Sequence, residues 1–278
     1  MYYLYLLARR LSLTFPRSFC YYIASLLADF KFIFSPRDRK AVTYNLRPLI
    51  KKKSLRREVR QVFRNFALYL VDFFRFSQLD RRFIDRYVEI KGREHLLKAK
   101  DRKKGVIVLT AHLGNYELGG AVASLIGYKI YAIALPHKDK RINSFFNYQR
   151  NLCGVEVVST GVSIKKCIQL LRNNEMVAFL GDKDFTSKGM KVELCGKEAF
   201  LPRGPAYFSL KTGACILPSF FIRENQRYYR LIFEQPIFPT GERWVKEEQE
   251  IIEEYKKVLE KYILKYPTQW YMFRKYWL

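Results

Sequence analysis

The sequence predicts an α/β fold in which helices flank a mostly parallel central sheet. Short apolar, β-branched runs recur from residue 106 onwards, and segments with helical periodicity lie between them. Alternating strand and helix signals of this kind are typical of parallel sheets whose strands are joined by crossover helices, although the later part of the chain is more strand-rich. The chain has 278 residues, of which 49% are hydrophobic, so it is long enough to bury such a core.

Residues 1–50 are predicted to form an N-terminal helical region that associates with a membrane. Residues 1–34 are rich in Tyr, Leu, Phe and Ile, but the longest run without a charge, 18–28, has only 11 residues. A membrane-spanning helix needs about 20 apolar residues, and no signal-peptide cleavage pattern is present. Arg, aromatic and aliphatic residues mixed in this way favour helices that lie in the membrane interface. The alternative is a tyrosine-rich core helix of a soluble protein.

Residues 51–278 form the second predicted unit, with a helical lead-in over 51–100 and an α/β core over 101–278. Ser54 is the predicted N-cap of an amphipathic helix of about 20 residues, because apolar residues recur at helical spacing after it. In the core, the predicted strands are 106–110, 128–135, 155–159, 177–181, 191–194, 215–222 and 228–233. The predicted helices are 117–126, 140–152, 163–172 and 246–265.

The chain is strongly basic, with 51 Lys and Arg against 26 Asp and Glu and a formal net charge of +25. Such a charge favours an anionic partner, which is a nucleic acid, an anionic membrane or an acidic protein. No zinc-finger spacing or other nucleic-acid-binding signature is present, so no nucleic-acid partner is predicted. The five cysteines are widely spaced and form no CxxC pair, which indicates reduced thiols in a cytosolic environment. Neither a metal site nor a cofactor is predicted.

His112 is the residue around which a site is predicted. It follows the apolar run 106–110, and Glu117 begins the next predicted helix. The carboxyl ends of parallel strands are where α/β proteins place their sites. His can take up a proton near neutral pH, and a carboxylate that accepts the other ring N–H can orient it. Gly114 permits a tight turn, so we expect the chain to bring Glu117 to His112. The alternative is a structural His beside an acid that caps the helix.

The segment from His112 to Glu117 resembles the HX4E/D signature of the lysophospholipid acyltransferase superfamily, and more narrowly that of the lipid A biosynthesis acyltransferases. Other segments are similar to further elements of that family. They are Asn-Leu at 45–46, Arg-x-x-x-Gly at 150–154, Asp-x-Asp at 182–184, Gly-Pro…Thr-Gly-Ala…Pro over 204–218, and Pro-x-Gln-Trp at 267–270. The resemblance therefore extends over most of the chain and implies a fold like that of the lysophospholipid acyltransferases.

The resemblance also implies a reaction. His112, helped by Glu117, would deprotonate an acceptor hydroxyl, which would then attack the thioester carbonyl of an acyl donor. Backbone N–H groups after His112, or Arg150, would stabilise the oxyanion, and Arg150 could instead hold an acceptor phosphate. Asp182 and Asp184 would contact substrate or order their loop through Lys183 or Arg203, unless they belong to a simple turn. The residues expected to bind substrate are Gly114, Asn115, Arg150, Asp182, Asp184 and Arg203.

The partners implied by the resemblance are acyl carrier protein as donor and a phosphorylated lipid or glycolipid as acceptor, at the cytoplasmic face of the inner membrane. The basic composition suits all three, because the carrier protein, the acceptor and the membrane surface are anionic. One alternative is a glycerophospholipid or other glycolipid O-acyltransferase that uses acyl carrier protein or acyl-CoA. A basic nucleic-acid-binding protein is the rival from another class.

Overall fold

The computed structural model describes residues 1–159, 163–186, 188–240 and 244–278. Within these ranges the chain forms eleven α-helices and nine β-strands. The helices are α1 (Tyr2–Thr14), α2 (Arg17–Phe34), α3 (Pro36–Leu46), α4 (Arg56–Phe74), α5 (Arg81–Tyr87), α6 (Arg93–Asp101), α7 (Tyr116–Leu125), α8 (Lys140–Asn151), α9 (Ser163–Arg172), α10 (Gly204–Thr212) and α11 (Trp244–Lys265). The strands are β1 (Val88–Lys91), β2 (Val106–Thr110), β3 (Ile130–Ala134), β4 (Val155–Ser159), β5 (Met176–Leu180), β6 (Met190–Leu194), β7 (Lys197–Leu201), β8 (Cys215–Arg223) and β9 (Tyr229–Phe233).

The central sheet has seven strands in the order β1-β9-β8-β2-β5-β3-β4, and β6 and β7 form a separate antiparallel hairpin. Every neighbouring pair in the central sheet is parallel except β8 and β9. The predicted α/β class with a mostly parallel sheet flanked by helices is therefore confirmed. Strand β1 was absent from the prediction because its four residues alternate between half-buried and exposed positions and carry no apolar run.

The predicted element boundaries match closely where the apolar pattern is sharp. Strand β4 and helix α9 begin and end at the predicted residues. The N-cap prediction for Ser54 is wrong, because α4 begins at Arg56 with Leu55 as N-cap and without a side-chain capping bond. Leu55 is buried in the same cluster as Val59 on α4. Burial of the apolar Leu55 side chain, rather than a hydroxyl cap, therefore accompanies the start of this helix.

The N-terminal helices are tied to the rest of the chain by specific contacts. Helix α2 packs on α4, and Asn45 at the end of α3 binds the C-terminal segment. Asn45 Nδ2 donates to the carbonyls of Met272 and Arg274 at 2.9 and 2.7 Å, and its Oδ1 accepts from the backbone N–H of Tyr276. No helix in the described part of the chain is long and apolar enough to span a membrane. A boundary between residues 50 and 51 stays a prediction.

The sheet opens at its carboxyl edge between β3 and β5. Strand β3 pairs with β4 along all five residues, up to Ala134. Its pairing with β5 covers only three residues and stops at Ala132 opposite Ala178. The ends of β3 and β5 beyond this point are not paired with each other, so space opens between them next to the residues that follow the strands.

Candidate active site

His112 and Asp182 lie side by side because of the register of two neighbouring strands. The last residues of β2 and β5, Thr110 and Leu180, are paired, and the two side chains follow two residues later on each strand. Asp182 Oδ1 is 2.8 Å from His112 Nδ1, and Asp182 Oδ2 accepts the backbone N–H of His112 at 3.0 Å. The carboxylate therefore holds both the backbone and the ring of His112.

Asp182 is fully buried and accepts a third hydrogen bond, from Trp270 Nε1 at 2.9 Å. The Tyr276 hydroxyl donates to the backbone carbonyl of Asp182 at 2.5 Å. Burial raises the pKa of Asp182, but the charge of His112 and the hydrogen bonds from His112 and Trp270 outweigh it, so the pKa lies below its usual value. An ionised carboxylate can only accept hydrogen bonds. The His112 proton therefore resides on Nδ1, which leaves Nε2 free to accept another.

The orienting position predicted for Glu117 is taken by Asp182, and Glu117 binds Arg150 instead. Arg150 Nε and Nη2 donate to the Glu117 carboxylate at 2.9 and 2.5 Å in a bidentate pair, and both side chains are only 11% exposed. Burial lowers the pKa of Arg150, but the charge of Glu117 and its hydrogen bonds raise the pKa by more than burial lowers it. The guanidinium therefore stays charged. The pairing arises because Glu117 lies in the first turn of α7, and Arg150 lies in the last turn of α8.

Gly114 and Asn115 build the turn that carries the chain from β2 into α7. Gly114 has φ +67°, and a Cβ there would lie 2.1 Å from the carbonyl oxygen of Phe221. Asn115 is buried, and its Oδ1 caps α7 by accepting from the backbone N–H of Leu118. Its Nδ2 donates to Asp72 Oδ2 at 2.9 Å. The contacts of both residues are therefore structural, and the substrate contacts expected of them stay a prediction.

The backbone N–H groups predicted to stabilise an oxyanion are already used. Gly114 N–H donates to the carbonyl of Gln269 at 2.9 Å, and Asn115 N–H donates to the carbonyl of Phe221 at 2.7 Å. His112 N–H donates to Asp182. The prediction that the N–H groups of Gly114 and Asn115 stabilise an oxyanion is wrong, because these groups bind the C-terminal segment and β8, respectively.

Asp184 orders its own loop. Its carboxylate accepts from the backbone N–H groups of Thr186, Lys188 and Gly189 and from the Thr186 hydroxyl. Burial raises the pKa of Asp184, but these hydrogen bonds together lower it by more, so the pKa lies below its usual value. Asp184 was expected to order this loop by binding Lys183 or Arg203. That expectation is wrong, because the Asp184 carboxylate binds backbone N–H groups and the Thr186 hydroxyl instead.

Arg203 pairs with Glu248 of α11, with Nε 3.0 Å from Oε1, and remains 53% exposed. This contact ties the start of α10 to α11. Its guanidinium lies in the wall of a large cavity, which also contains His112 and the pair of Glu117 and Arg150. The structure therefore brings five predicted residues to one cavity, namely His112, Glu117, Arg150, Asp184 and Arg203, and Asp182 binds His112 without lining it.

The cavity measures about 1260 Å³ and exceeds the ~300–1,000 Å³ of common small-molecule pockets. It lies at the carboxyl edge of the sheet, where β3 and β5 separate. Both charged and apolar residues line it, and His112 is one of the lining residues. The main apolar residues are Ile130, Ala132, Ile133, Ala134, Leu135, Val155, Ile164, Ala178, Phe179, Leu180, Tyr207, Phe208 and Trp244. The site can thus place a proton acceptor beside a long apolar substrate.

The orienting role of Asp182 was missed in the sequence, as was the support from Trp270 and Tyr276. In the structure, His112 follows the end of β2 and Asp182 follows the end of β5 by two residues each. In the sequence, each follows a predicted strand closely, but this would have indicated the pair only if β2 and β5 had been known to be neighbours, and they are separated along the chain by β3 and β4.

The whole chain, residues 1–278, matches the family model described as bacterial lipid A biosynthesis acyltransferase. It is 21% identical over 224 residues to the phosphatidylinositol mannoside acyltransferase of Mycolicibacterium smegmatis, covering 79% of this chain and 72% of that protein. It is 23% identical over 190 residues to the lipid A biosynthesis palmitoleoyltransferase of Escherichia coli, covering 67% of this chain and 60% of that protein. The crystal structure of the 1-acyl-sn-glycerophosphate acyltransferase PlsC from Thermotoga maritima superposes with a TM-score of 0.42 at 16% identity, covering 86% of this chain and 97% of that one.

Proposed function

Because the chain belongs to the bacterial lipid A biosynthesis acyltransferase family, we propose that it transfers a fatty acyl chain from a thioester donor to a hydroxyl of a phosphorylated glycolipid. The protein is an acyltransferase of the lipid-acylating type. The observation that carries the finer proposal is the pair of His112 and Asp182, with His112 in the wall of a large cavity that many apolar side chains and several cationic ones line.

In the proposed reaction, His112 is the general base. Nε2 takes the proton of the acceptor hydroxyl while Asp182 accepts Nδ1–H and stabilises the imidazolium. The acceptor oxygen attacks the thioester carbonyl carbon and forms a tetrahedral oxyanion. The C–S bond then breaks, the ester remains on the acceptor, and the departing thiolate takes the proton back from Nε2. General base catalysis of this kind contributes about 10²–10⁴-fold to the rate.

Glu117 and Arg150 have a different proposed role. Their ion pair lies in the cavity wall, is nearly buried and joins α7 to α8. We propose that this ion pair holds α7 and α8 in place, so that the cavity wall they form keeps its position next to the substrate. Lys183 and Arg203, which also line the cavity, are the proposed partners of an acceptor phosphate, since a guanidinium matches the geometry of phosphate oxygens.

The proposed donor is acyl carrier protein. Cationic side chains stand at the cavity, and the net charge of +25 favours an acidic partner. The donor is tested by supplying the purified protein with acyl carrier protein or coenzyme A thioesters of the same fatty acid. The acceptors to compare are a lipid A precursor, a mannosylated phosphatidylinositol and lysophosphatidic acid, with products identified by mass spectrometry. Transfer to lysophosphatidic acid alone would overturn the glycolipid proposal.

The catalytic residue is tested by His112→Ala in the same assay. In this variant the backbone N–H of residue 112 and Trp270 Nε1 still donate to Asp182, so we expect a folded protein whose transfer falls to the background rate. Wild-type melting behaviour is the control for folding. A folded His112→Ala variant with activity within a few-fold of wild type would overturn the assignment of His112 as the base.

Helices α1 and α2 present the proposed membrane-binding surface, here called the N-terminal apolar face. Its residues recur at spacings of three and four, so they lie along one side of each helix. They are Leu4, Leu7, Leu11, Phe19, Tyr22, Ile23, Leu26, Leu27, Phe30, Ile33 and Phe34, all of them exposed. The opposite side of α2 is buried through Cys20, Tyr21, Ala28 and Phe32. Large contiguous apolar surfaces of this kind mark interaction sites, and a surface on helices that also carry Arg and Tyr fits the interface of a bilayer.

Removing residues 1–34 would not test this surface, because Arg17 and Tyr21 are bound to the buried Asp72. The double variant Leu27→Ser/Phe30→Ser changes only exposed side chains. We expect it to lose about 2–4 kcal/mol of binding to vesicles of phosphatidylethanolamine and phosphatidylglycerol, measured by sedimentation. Leu97→Ser, at a half-exposed position on α6, is the control. Equal vesicle binding by the double variant and the wild type would refute this membrane-binding surface.

A further inference from the structure

Helix α7 contains two consecutive glycines in its interior, Gly119 and Gly120. Glycine is the weakest helix former apart from proline, so each position calls for a physical reason. Packing supplies it for Gly119, where a Cβ would lie 2.8 Å from the Cβ of Phe221. At Gly120, a Cβ would meet nothing closer than Val155 Cγ2 at 3.9 Å, which is an ordinary contact. Close packing therefore does not explain Gly120.

Gly120 borders open space on the side of the sheet that α7 covers. It lines the large cavity together with Val155. It also lines a second cavity of about 60 Å³ between α7 and the sheet. Five residues line both cavities, namely Thr110, Tyr116, Gly120, Ile130 and Ala178. Gly120 thus lies where the wide cavity meets a narrow one.

The narrow cavity ends among buried residues. Leu96 and Met176 line it and are at most 2% exposed. The large cavity, in contrast, is bounded on the α10 side by Trp244, which packs against Tyr207 of α10 and is exposed. An apolar chain that runs from His112 towards Gly120 therefore meets a closed end, whereas one that runs towards α10 reaches solvent.

We propose that Gly120 sets the length of the fatty acyl chain that the enzyme accepts from its donor. The end of the chain passes the bare backbone at Gly120 and lies opposite Ala178, whose small side chain leaves the same space open from the sheet. This proposal rests on the proposed acyl transfer and names its specificity-determining residue. Each methylene that is buried strengthens binding by about fourfold, so a side chain that displaces methylenes selects for shorter donors.

The test is the series Gly120→Ala and Gly120→Leu, assayed with an equimolar mixture of acyl carrier protein thioesters of graded chain length. Product lengths are read by mass spectrometry. We expect the ratio of longest to shortest product to fall about fourfold in Gly120→Ala and about 15- to 60-fold in Gly120→Leu, for one and for two to three displaced methylenes. Gly120→Ala places a strong helix former at this position, so it serves as the folded member of the series if Gly120→Leu is unstable.

The matched control is Gly204→Leu. Gly204 lines the same cavity at the start of α10, and a Cβ there would meet only Phe208 Cε2, at 4.0 Å. The added volume is the same, but it lies on the open side, so we expect the ratio of product lengths to stay within twofold of wild type. An equal shift in Gly204→Leu, or an unchanged ratio in both Gly120 variants, would overturn the proposal.

A binding measurement separates this proposal from the proposed reaction. Fatty acids of graded length compete with a fluorescent fatty acid for the wild-type protein and for Gly120→Leu, without any transfer. If the wild type transfers no acyl chain but Gly120→Leu still binds shorter fatty acids, the proposed reaction fails and the role of Gly120 stands. If transfer occurs and neither binding nor products change in length, the role of Gly120 fails alone.

Discussion

Replacing Asp182 with Asn tests the orientation of His112, the proposed catalytic base. In the wild-type protein, Oδ2 accepts the His112 backbone N–H and Trp270 Nε1, and Oδ1 accepts His112 Nδ1–H. An Asn that keeps its oxygen towards the first two donors must turn its NH₂ group towards Nδ1. The amide then donates to Nδ1, which moves the ring proton to Nε2 and removes the acceptor that the reaction needs.

The size of the effect follows from these contacts. All three hydrogen bonds are still made, the one to Nδ1 with its direction reversed, but bonds between neutral groups contribute about 0.5–1.5 kcal/mol instead of the ~1.5–3 kcal/mol of bonds to a charged group. We therefore expect the free energy of unfolding to fall by about 3–4.5 kcal/mol in total. The loss of general base catalysis lowers kcat by about 10²–10⁴-fold with little change in KM.

The assay compares Asp182→Asn with Glu117→Gln in steady-state transfer and in urea unfolding. Glu117 binds Arg150 and not the base, so we expect Glu117→Gln to keep the wild-type pH dependence of kcat. Asp182→Asn should change the pH dependence of kcat, because this variant no longer holds the ring proton on Nδ1. The reasoning is refuted if Asp182→Asn stays within threefold of wild type while Glu117→Gln loses most of kcat.

Three further predictions concern the support of the site. Arg150→Ala leaves the nearly buried charge of Glu117 unpaired, so we expect a loss of about 3–5 kcal/mol in the free energy of unfolding. Arg150→Lys, which cannot form the bidentate pair, should recover only part of that loss in the same urea titration. Asn45→Ala removes one buried and two partly buried hydrogen bonds to the C-terminal segment and should lower the free energy of unfolding by about 2–4 kcal/mol, with unchanged stability contradicting this contact. The lowered pKa of Asp182 makes its contribution to stability fully present above the unfolded value of about 3.9 and lost as the pH falls through the folded value. The difference in unfolding free energy between wild type and Asp182→Asn should therefore shrink below about pH 4, and a constant difference down to pH 2 would contradict the assignment.

Local patterns were enough to locate most of the strands and helices of the α/β core. The run 106–110 is apolar on both faces and became β2, a central strand with neighbours on either side. The stripe in 246–265 became α11 with an extension of two residues. Elements whose apolar pattern is short or interrupted, such as β1 and α10, were missed, since their burial depends on neighbours that are distant along the chain.

The sequence located His112, because a titratable residue directly after a buried strand stands out locally. It also indicated Glu117 and Arg150 as members of the same region. The predicted partner of His112 was wrong, because proximity along the chain favoured Glu117. In the structure, Asp182 binds His112, and Glu117 binds Arg150. Which carboxylate reaches the imidazole depends on strand order, and β2 has β5 and β8 as neighbours rather than β3.

The sequence by itself determined the class of fold, the basic charge, the apolar N-terminal helices and the residue that can act as base. These follow from composition and from periodicity over a few turns or strand residues. The tertiary structure alone decided that Asp182 orients His112 and that Glu117 holds Arg150. It also decided that Asn45 binds the C-terminal segment and that Trp270 binds Asp182. Each of these contacts joins residues at least 33 positions apart. Their formation depends on strand order, register and helix packing, which no local pattern encodes.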